Sequence, residues 1–306
     1  MTDFRSGFIA ILGRPNVGKS TLINALLGQK VAAVSPRPQT TRRRQLGILT
    51  TETYQMIFVD TPGIHAPRHK LGEFLNQEAR ASLDGVDAIL WLVDVTTSPT
   101  EDDERIASLL PRRTPLVLGC NKIDLIHADV SSARREAYAT LVKKEAEVIL
   151  LSATRGDGLA GLLNLLVSFL PVREPEFDPE QVTDLYEKEI AADLIREAAL
   201  NHLRDEVPHG VAVRIDEFKE RENGMAYIAA TVFVERDSQK GIVIGEGGKM
   251  LKSIGSAART EIEAMGGRRV FLELRVKVLK DWRNDEEWLK RFGYKVKKDG
   301  KRKKKG

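Results

Sequence analysis

The chain reads as an α/β protein in two parts: a mostly parallel sheet with helices on both faces, then a smaller α+β domain. Three observations predict this. An apolar run, a glycine loop and a helix-spaced segment follow one another over residues 8–27. Three further apolar runs each end in a short polar motif, as strands do when their C-terminal ends build one site. A proline-punctuated stretch then leads into a helix, a hairpin, a second glycine loop, a helix and a strand.

Taken in order, Phe8-Ile9-Ala10-Ile11-Leu12 is a buried-strand run, and Thr21 to Leu27 has apolar residues at helical spacing. Between them stands Gly13-Arg14-Pro15-Asn16-Val17-Gly18-Lys19-Ser20. Strand, glycine loop and helix in that order aim backbone N–H groups and a helix N-terminus at one spot, which favours a bound polyphosphate. Residues 13–20 with Thr21 are therefore the expected phosphate-binding set. Lys19 can reach the β- and γ-phosphates, and the Ser20 hydroxyl can ligate Mg²⁺.

Pro36 to Arg44 is polar and proline-punctuated, so a loop is expected. A threonine here can complete the Mg²⁺ shell when a γ-phosphate is present; order and spacing favour Thr41 over Thr40. Tyr54-Gln55-Met56-Ile57-Phe58-Val59 ends at Asp60-Thr61-Pro62-Gly63. This puts a carboxylate for Mg²⁺ at a strand's C-terminal end and the Gly63 N–H near a γ-phosphate oxygen.

Leu116-Val117-Leu118-Gly119-Cys120 delivers Asn121-Lys122-Ile123-Asp124. A carboxylate in the plane of a purine accepts from both N1–H and the exocyclic amine of guanine, whereas adenine would leave it unpaired. Such a site rejects the wrong analogue by ~10⁴-fold or more. Asp124 is the expected guanine reader, Lys122 lies along the base, and Asn121 ties neighbouring loops together. Leu150 to Thr154 ends another strand, placing Ser152 and Ala153 by the guanine O6.

These motifs in this order resemble the translation-factor-like class of P-loop GTPases and, within it, the Era family. Pro15-Asn16 and Gln39-Thr40-Thr41-Arg42 carry the closer likeness, which extends along nearly the whole chain up to the lysine tail. The resemblance implies a GTPase domain joined to a C-terminal KH RNA-binding domain. It also implies a GTP-hydrolysing switch that binds small-subunit ribosomal RNA and assists assembly of the small ribosomal subunit. Small GTPases place a water-orienting glutamine directly after the Asp-x-x-Gly motif; here that position is Ile64, which has no hydrogen-bonding group. A second cation near the β–γ bridge is an alternative source of charge neutralisation. Asn16 resembles the asparagine with which related GTPases ligate K⁺; the competing reading is that it only caps or stiffens the loop.

At 306 residues, with 42% hydrophobic and 30% charged positions, the chain has the balance of a soluble globular protein of two domains. No apolar run approaches the ~18 residues that a membrane span requires. The start, Met1 to Gly7, lacks the features of a signal peptide. A single cysteine, Cys120, excludes an internal disulfide and suits a reducing cytoplasm. Charge is uneven: residues 295–306 hold eight Lys or Arg and one Asp, leaving 40 basic and 43 acidic residues elsewhere. This tail is expected to be disordered and to attract phosphate backbones or an anionic membrane surface without sequence preference, or to be merely solvated.

The domain reading is residues 1–171, a linker over 172–182 marked by Pro171, Pro175 and Pro179, a second domain over 183–294, and the tail. Thr183 is the candidate cap of the next helix, and Glu222-Asn223-Gly224 marks a hairpin between apolar runs. Gly245-Glu246-Gly247-Gly248 is a Gly-x-x-Gly loop opening the helix that starts Lys249-Met250-Leu251-Lys252. Such a loop lets a nucleic-acid backbone approach beside a groove for about four unpaired nucleotides. This is how a KH fold reads, and the hairpin before the loop resembles its type II topology. The expected RNA-binding residues are Gly245 to Gly248, Lys249 and Lys252, with Arg259 nearby; the acidic Glu246 shifts the electrostatic burden onto the lysines. Trp282, Trp288, Phe292 and Tyr294 either stack bases or pin a terminal helix to the KH sheet. The five histidines show no ligand spacing with the cysteine. The second function in play is a GTP-dependent, membrane-associated cell-cycle regulator with incidental RNA binding, peripheral on the inner face of the cell membrane. It leaves a nucleotide-sized groove without a use.

Overall fold

The protein is described by a computed structural model over residues 3–37, 40–222 and 224–294. The first domain is a six-stranded sheet in the order β2-β3-β1-β4-β5-β6. Its strands are β1 (Arg5–Leu12), β2 (Gln45–Thr50), β3 (Tyr54–Asp60), β4 (Ala88–Asp94), β5 (Leu116–Asn121) and β6 (Glu147–Leu150). All pair in parallel except β2, which runs antiparallel to β3. The runs in β1, β4 and β5 are continuously apolar because both faces are covered. Helices α1 (Lys19–Leu27) and α5 (Leu159–Phe169) pack with Ile9, Ile11 and Leu90 on one face. On the other, α2 (Lys70–Ala81), α3 (Glu101–Leu109) and α4 (Ala128–Ala139) bring Ala79, Ile106 and Tyr138 against Ala10, Leu12 and Trp91. Every motif picked out from the sequence of this domain thus leaves the C-terminal edge of its sheet.

The second domain contains α6 (Glu187–His202), β7 (Ala212–Glu220), β8 (Ala226–Val234), α7 (Asp237–Ile244), α8 (Lys249–Gly266) and β9 (Val270–Val278). Its sheet order is β7-β8-β9, with β7 antiparallel and β9 parallel to the central β8. Ile195, Ala199, Ile254, Ala258 and Ile262 of α6 and α8 bury its inner face. A short α9 (Glu286–Arg291) follows, capped by the Asp285 carboxylate.

One expectation gains detail and one needs correction. Residues 172–182, read as a linker, are bonded to the first domain. Arg173 N–H donates to the Phe4 carbonyl (3.0 Å), Glu176 and Phe177 N–H to Gln55 Oε1 (2.8 and 3.0 Å), and Ile48 N–H to the Val182 carbonyl (2.9 Å). The segment is strapped along the first domain because its unpaired backbone groups find partners there. The next helix begins at Glu187, not at Thr183. The Thr183 hydroxyl closes a turn with Leu185 N–H, while the Glu189 side chain accepts Tyr186 N–H at the true helix start. The lysine tail, Asn223 of the hairpin and Gln39 of the motif string lie outside the described residues.

Candidate nucleotide site and its link to the KH domain

The C-terminal edge of the large sheet opens into a cavity of about 570 Å³, lined at one end by Gly18, Lys19, Ser20 and Thr21 and at the other by Asn121, Lys122, Asp124 and Ala153. Asn121 holds the two ends together. Its Nδ2 donates to the Val17 carbonyl (2.7 Å) and its Oδ1 accepts Ala153 N–H (3.0 Å). Gly18, at φ +104°, must be glycine here, since a Cβ would lie 2.4 Å from that same Nδ2.

At the phosphate end, the Lys19 ammonium is buried and donates to the carbonyls of Gly13 and Arg14 (3.2 and 3.0 Å). Burial lowers its pKa to about 8, against the pull of Asp60. Asp60 Oδ2 accepts from Ser20 Oγ (3.0 Å), Thr41 Oγ1 (3.2 Å) and Gln45 Nε2 (3.2 Å), while the two hydroxyls lie 2.9 Å apart. Its Oδ1 is buried with no hydrogen-bond partner among the described residues. Burial raises the pKa of this carboxyl, and Lys19 and the hydroxyls oppose the rise. An orphaned carboxylate oxygen beside two hydroxyls is a donor set of hard oxygens, which fits Mg²⁺. Thr41 belongs to this set; Thr40 does not, its hydroxyl donating to the Arg37 carbonyl instead.

At the base end, Asp124 Oδ1 is likewise buried without a partner among the described residues, as a carboxylate reserved for a purine edge would be. Lys122 adopts φ +70°, and its Nζ meets Asp94 Oδ2 at 2.6 Å, which draws its aliphatic stem across the pocket. Burial opposes the Asp94 charge, yet bonds from Lys122 and Thr96 hold that carboxyl below its usual pKa.

Three expected residues turn their side chains to the scaffold rather than into the cavity. The Arg14 guanidinium turns away from the cavity to Asp103 (2.8 Å), Thr97 and Tyr138, so it braces the loop from behind. The Thr61 hydroxyl donates to the Ile11 carbonyl, and the Ser152 hydroxyl closes a turn with Arg155 N–H. Pro15 and Gly63 line the cavity; Pro62 is buried beside it. Ile64 packs into the core under β1, so its side chain is away from any attacking water. Asn16, at φ +65°, donates from Nδ2 to the Pro36 carbonyl (2.7 Å), which lays the loop backbone over its amide.

In the second domain, Gly245 to Gly248 join α7 to α8. A Cβ on Gly245 (φ +71°) would sit 2.7 Å from the Met250 Cβ, so only glycine permits the turn. Glu246, Lys249 and Lys252 are exposed, and Ile242 beside them is half-exposed. The Lys249 ammonium stands 3.9 Å from the Glu246 carboxylate, an exposed pair that neutralises little.

What sequence reading missed is how the two domains meet. Arg42 is buried between them and donates to the carbonyls of Val211 (2.7 Å) and His209 (3.4 Å), with Trp282 beneath it at 5.6 Å. Burial lowers its pKa to about 10, which leaves it charged. Arg196 of α6 donates to the Thr40 carbonyl. Glu197 accepts from Lys30 (2.8 Å) and Val34 N–H (3.1 Å). The late aromatics follow the packing reading and extend it: Trp288 and Phe292 lie against Phe233 of the KH sheet (6.2 and 5.3 Å between centroids), and Trp282, Phe292 and Tyr294 are also buried with Leu71, Phe74 and Leu75 of α2, so they join the domains rather than bind bases. Arg42 stood in a noted string; nothing in spacing marked Arg196 or Glu197, which sit in a helix buried on nearly every side from Ile190 to Leu200.

Residues 8–122 match a family model described as a 50S ribosome-binding GTPase, and residues 206–283 match a KH domain. The GTPase Era of Ruminiclostridium cellulolyticum is 46% identical over 298 residues, covering 97% of this chain and all of that protein. The chain belongs to the Era family of GTPases. It is thus a GTP-hydrolysing enzyme with a C-terminal KH domain. The Geobacter metallireducens GTPase Era is 47% identical over 95% of this chain and 98% of its own length. Among solved structures, Era in complex with MgGDPNP and nucleotides 1506-1542 of 16S ribosomal RNA superposes with a TM-score of 0.90 at 38% identity, covering 96% of this chain and all of that one. A point variant of Aquifex aeolicus Era bound to GDP.AlF4- gives 0.91 with the same identity and coverage.

Proposed function

We propose that this protein is a GTP-controlled switch that binds small-subunit ribosomal RNA through its KH domain and assists assembly of the small ribosomal subunit. One observation carries the reading. A single short segment serves both domains: Thr41 stands in the Mg²⁺ set with Ser20 and Asp60, while the Thr40 carbonyl and Arg42 are bonded to Arg196 and Val211 of the KH side. A nucleotide that moves Thr41 must also change what the KH domain is held by. The related Era complexed with 16S ribosomal RNA supports the choice of RNA.

The metal reading is part of the same proposal. Mg²⁺ at Ser20, Thr41 and Asp60 would neutralise phosphate charge, and the MgGDPNP complex of the related Era supports it. K⁺ near Asn16 Oδ1 and the overlying loop carbonyls would supply the stabilisation that Ile64 cannot. Ribosomal RNA as partner supports a cytoplasmic location. An excursion to the inner membrane face would fall to the lysine tail, and flotation with anionic vesicles decides it.

The test is crosslinking in cells, reading the transcripts recovered with and without a non-hydrolysable GTP analogue. Enrichment of small-subunit ribosomal RNA that depends on the analogue is expected. Recovery of unrelated transcripts, unchanged by the analogue, would sink the proposal. In vitro, Gly245→Asp with Gly248→Asp should abolish preference among unpaired RNAs while GTP turnover persists.

A further inference from the structure

The outer face of the KH sheet, turned away from α6 and α8, has its own pattern. Register places Lys219, Tyr227 and Phe271 side by side at one end, then Ala229 beside Glu273, then Arg214, Thr231 and Arg275, and finally Phe233 beside Lys277. Tyr227 and Phe271 form a stacked pair, centroids 5.9 Å apart and planes within 19°. The Arg221 guanidinium lies over both rings, at 5.0 and 5.4 Å. Phe271 is 50% exposed, although an aromatic of this size is ordinarily covered. At the far end Arg214 lies over Phe233 (5.2 Å) and Arg291 over Trp288 (4.7 Å). Phe233 itself is buried against Trp288 and Phe292, and Thr231 is buried with its hydroxyl donating to Asp216, so the open part of the face is the Tyr227–Phe271 end.

We propose that this face is a second contact for unpaired RNA, with Tyr227 and Phe271 as the base-stacking platform and Arg221 as its cationic partner. The charges choose the ligand. The carboxylates of the face are committed: Asp216 to Arg214 (2.7 Å), Glu217 to Lys219 (2.5 Å) and Glu273 to Arg275 (2.7 Å). Arg221 and Lys277 form no ion pair with a carboxylate among the described residues, so the surplus is positive. Near-parallel rings beside a planar cation match the flat faces of bases, and surplus positive charge matches the phosphates between them. The glycine loop between α7 and α8 belongs to the helical layer on the opposite face, so a strand held there leaves this platform free. The proposal rests on the RNA-binding reading only for the class of ligand.

The experiment uses the full chain and a roughly 20-nucleotide unpaired RNA of random sequence carrying photoreactive 4-thiouridine. Mapped adducts are expected at Tyr227 or Phe271 as well as around the glycine loop. The platform adducts should persist when Gly245 and Gly248 are replaced by aspartates. Phe271→Ala should lower affinity about five-fold or more with an unchanged salt slope, and Arg221→Lys, which keeps the charge but loses the plane, should show part of that loss. GTP turnover in Phe271→Ala should equal the parent's, which verifies the fold. Adducts confined to the loop, or parental affinity in Phe271→Ala, overturn the platform and leave the KH groove standing. Parental RNA affinity with weakened binding to purified small subunits would make the face a protein contact and overturn the proposal too. Adducts at neither place would overturn the platform and count against the RNA reading as a whole.

Discussion

Arg42 donates a 2.7 Å hydrogen bond to the carbonyl of Val211, across the boundary between the nucleotide domain and the KH domain. Its immediate neighbour Thr41 shares a 2.9 Å bond with the Ser20 hydroxyl. Consecutive residues thus face two sites, so displacement of this short segment at one site is passed to the other.

Replacing Arg42 with alanine should therefore uncouple the domains. Nucleotide affinity should change little, because the guanidinium is remote from the cavity. The difference in RNA affinity between the GDP-bound and GTP-analogue-bound protein should shrink towards nothing, as read by titrating labelled RNA in each state. Removing a charge-assisted bond of this kind is worth ~1.5–3 kcal/mol, enough to erase an ordinary allosteric coupling. A preserved difference would show that coupling runs elsewhere.

Asp124→Asn should change the base selected. The buried orphan oxygen of Asp124 would be replaced by a mixed donor and acceptor, which suits xanthine better than guanine. GTP affinity should fall by roughly 10³-fold or more while xanthosine triphosphate gains, measured by competition binding. Unchanged GTP affinity would refute the role given to Asp124.

Nucleotide binding should weaken at alkaline pH through Lys19, whose pKa in the free protein is about 8. Bound polyphosphate favours the charged ammonium and so raises that pKa. Below about pH 8 both forms are protonated and affinity is flat. Above it the free protein loses the proton, so binding must take one up and affinity falls, by up to tenfold per pH unit, until the pKa of the bound state is passed. Calorimetry at about pH 9 in two buffers of different ionisation heat should detect uptake of nearly one proton. Proton release, or none, would contradict the burial argument.

Hydrolysis should be faster in potassium than in sodium chloride at equal ionic strength, and Asn16→Ala should lose most of that difference. The Nδ2 bond to Pro36 leaves Asn16 Oδ1 available beside the loop backbone. Equal turnover in the two salts would remove potassium from the mechanism. A full potassium response in Asn16→Ala would reassign its ligand.

Short-range chemistry was legible in the chain itself. The phosphate loop, Asp60 and the Asn121 to Asp124 string are each set by a strand end and the few residues after it, so periodicity and motif order locate them without knowledge of the fold. The KH loop was legible for the same reason, through glycines that a tight turn between two helices demands. Only the tertiary structure decided which neighbours those residues have. It turned Arg14 away to Asp103, brought Gln45 to Asp60 across the β2–β3 pairing, and strapped residues 172–182 to the first domain. It also set Arg42 against Val211, 169 positions away in the chain, and Trp282 against the still more distant side chains of α2. Such contacts depend on how two surfaces fit, and a local pattern of hydrophobicity carries no record of a partner surface built by residues far away in the chain.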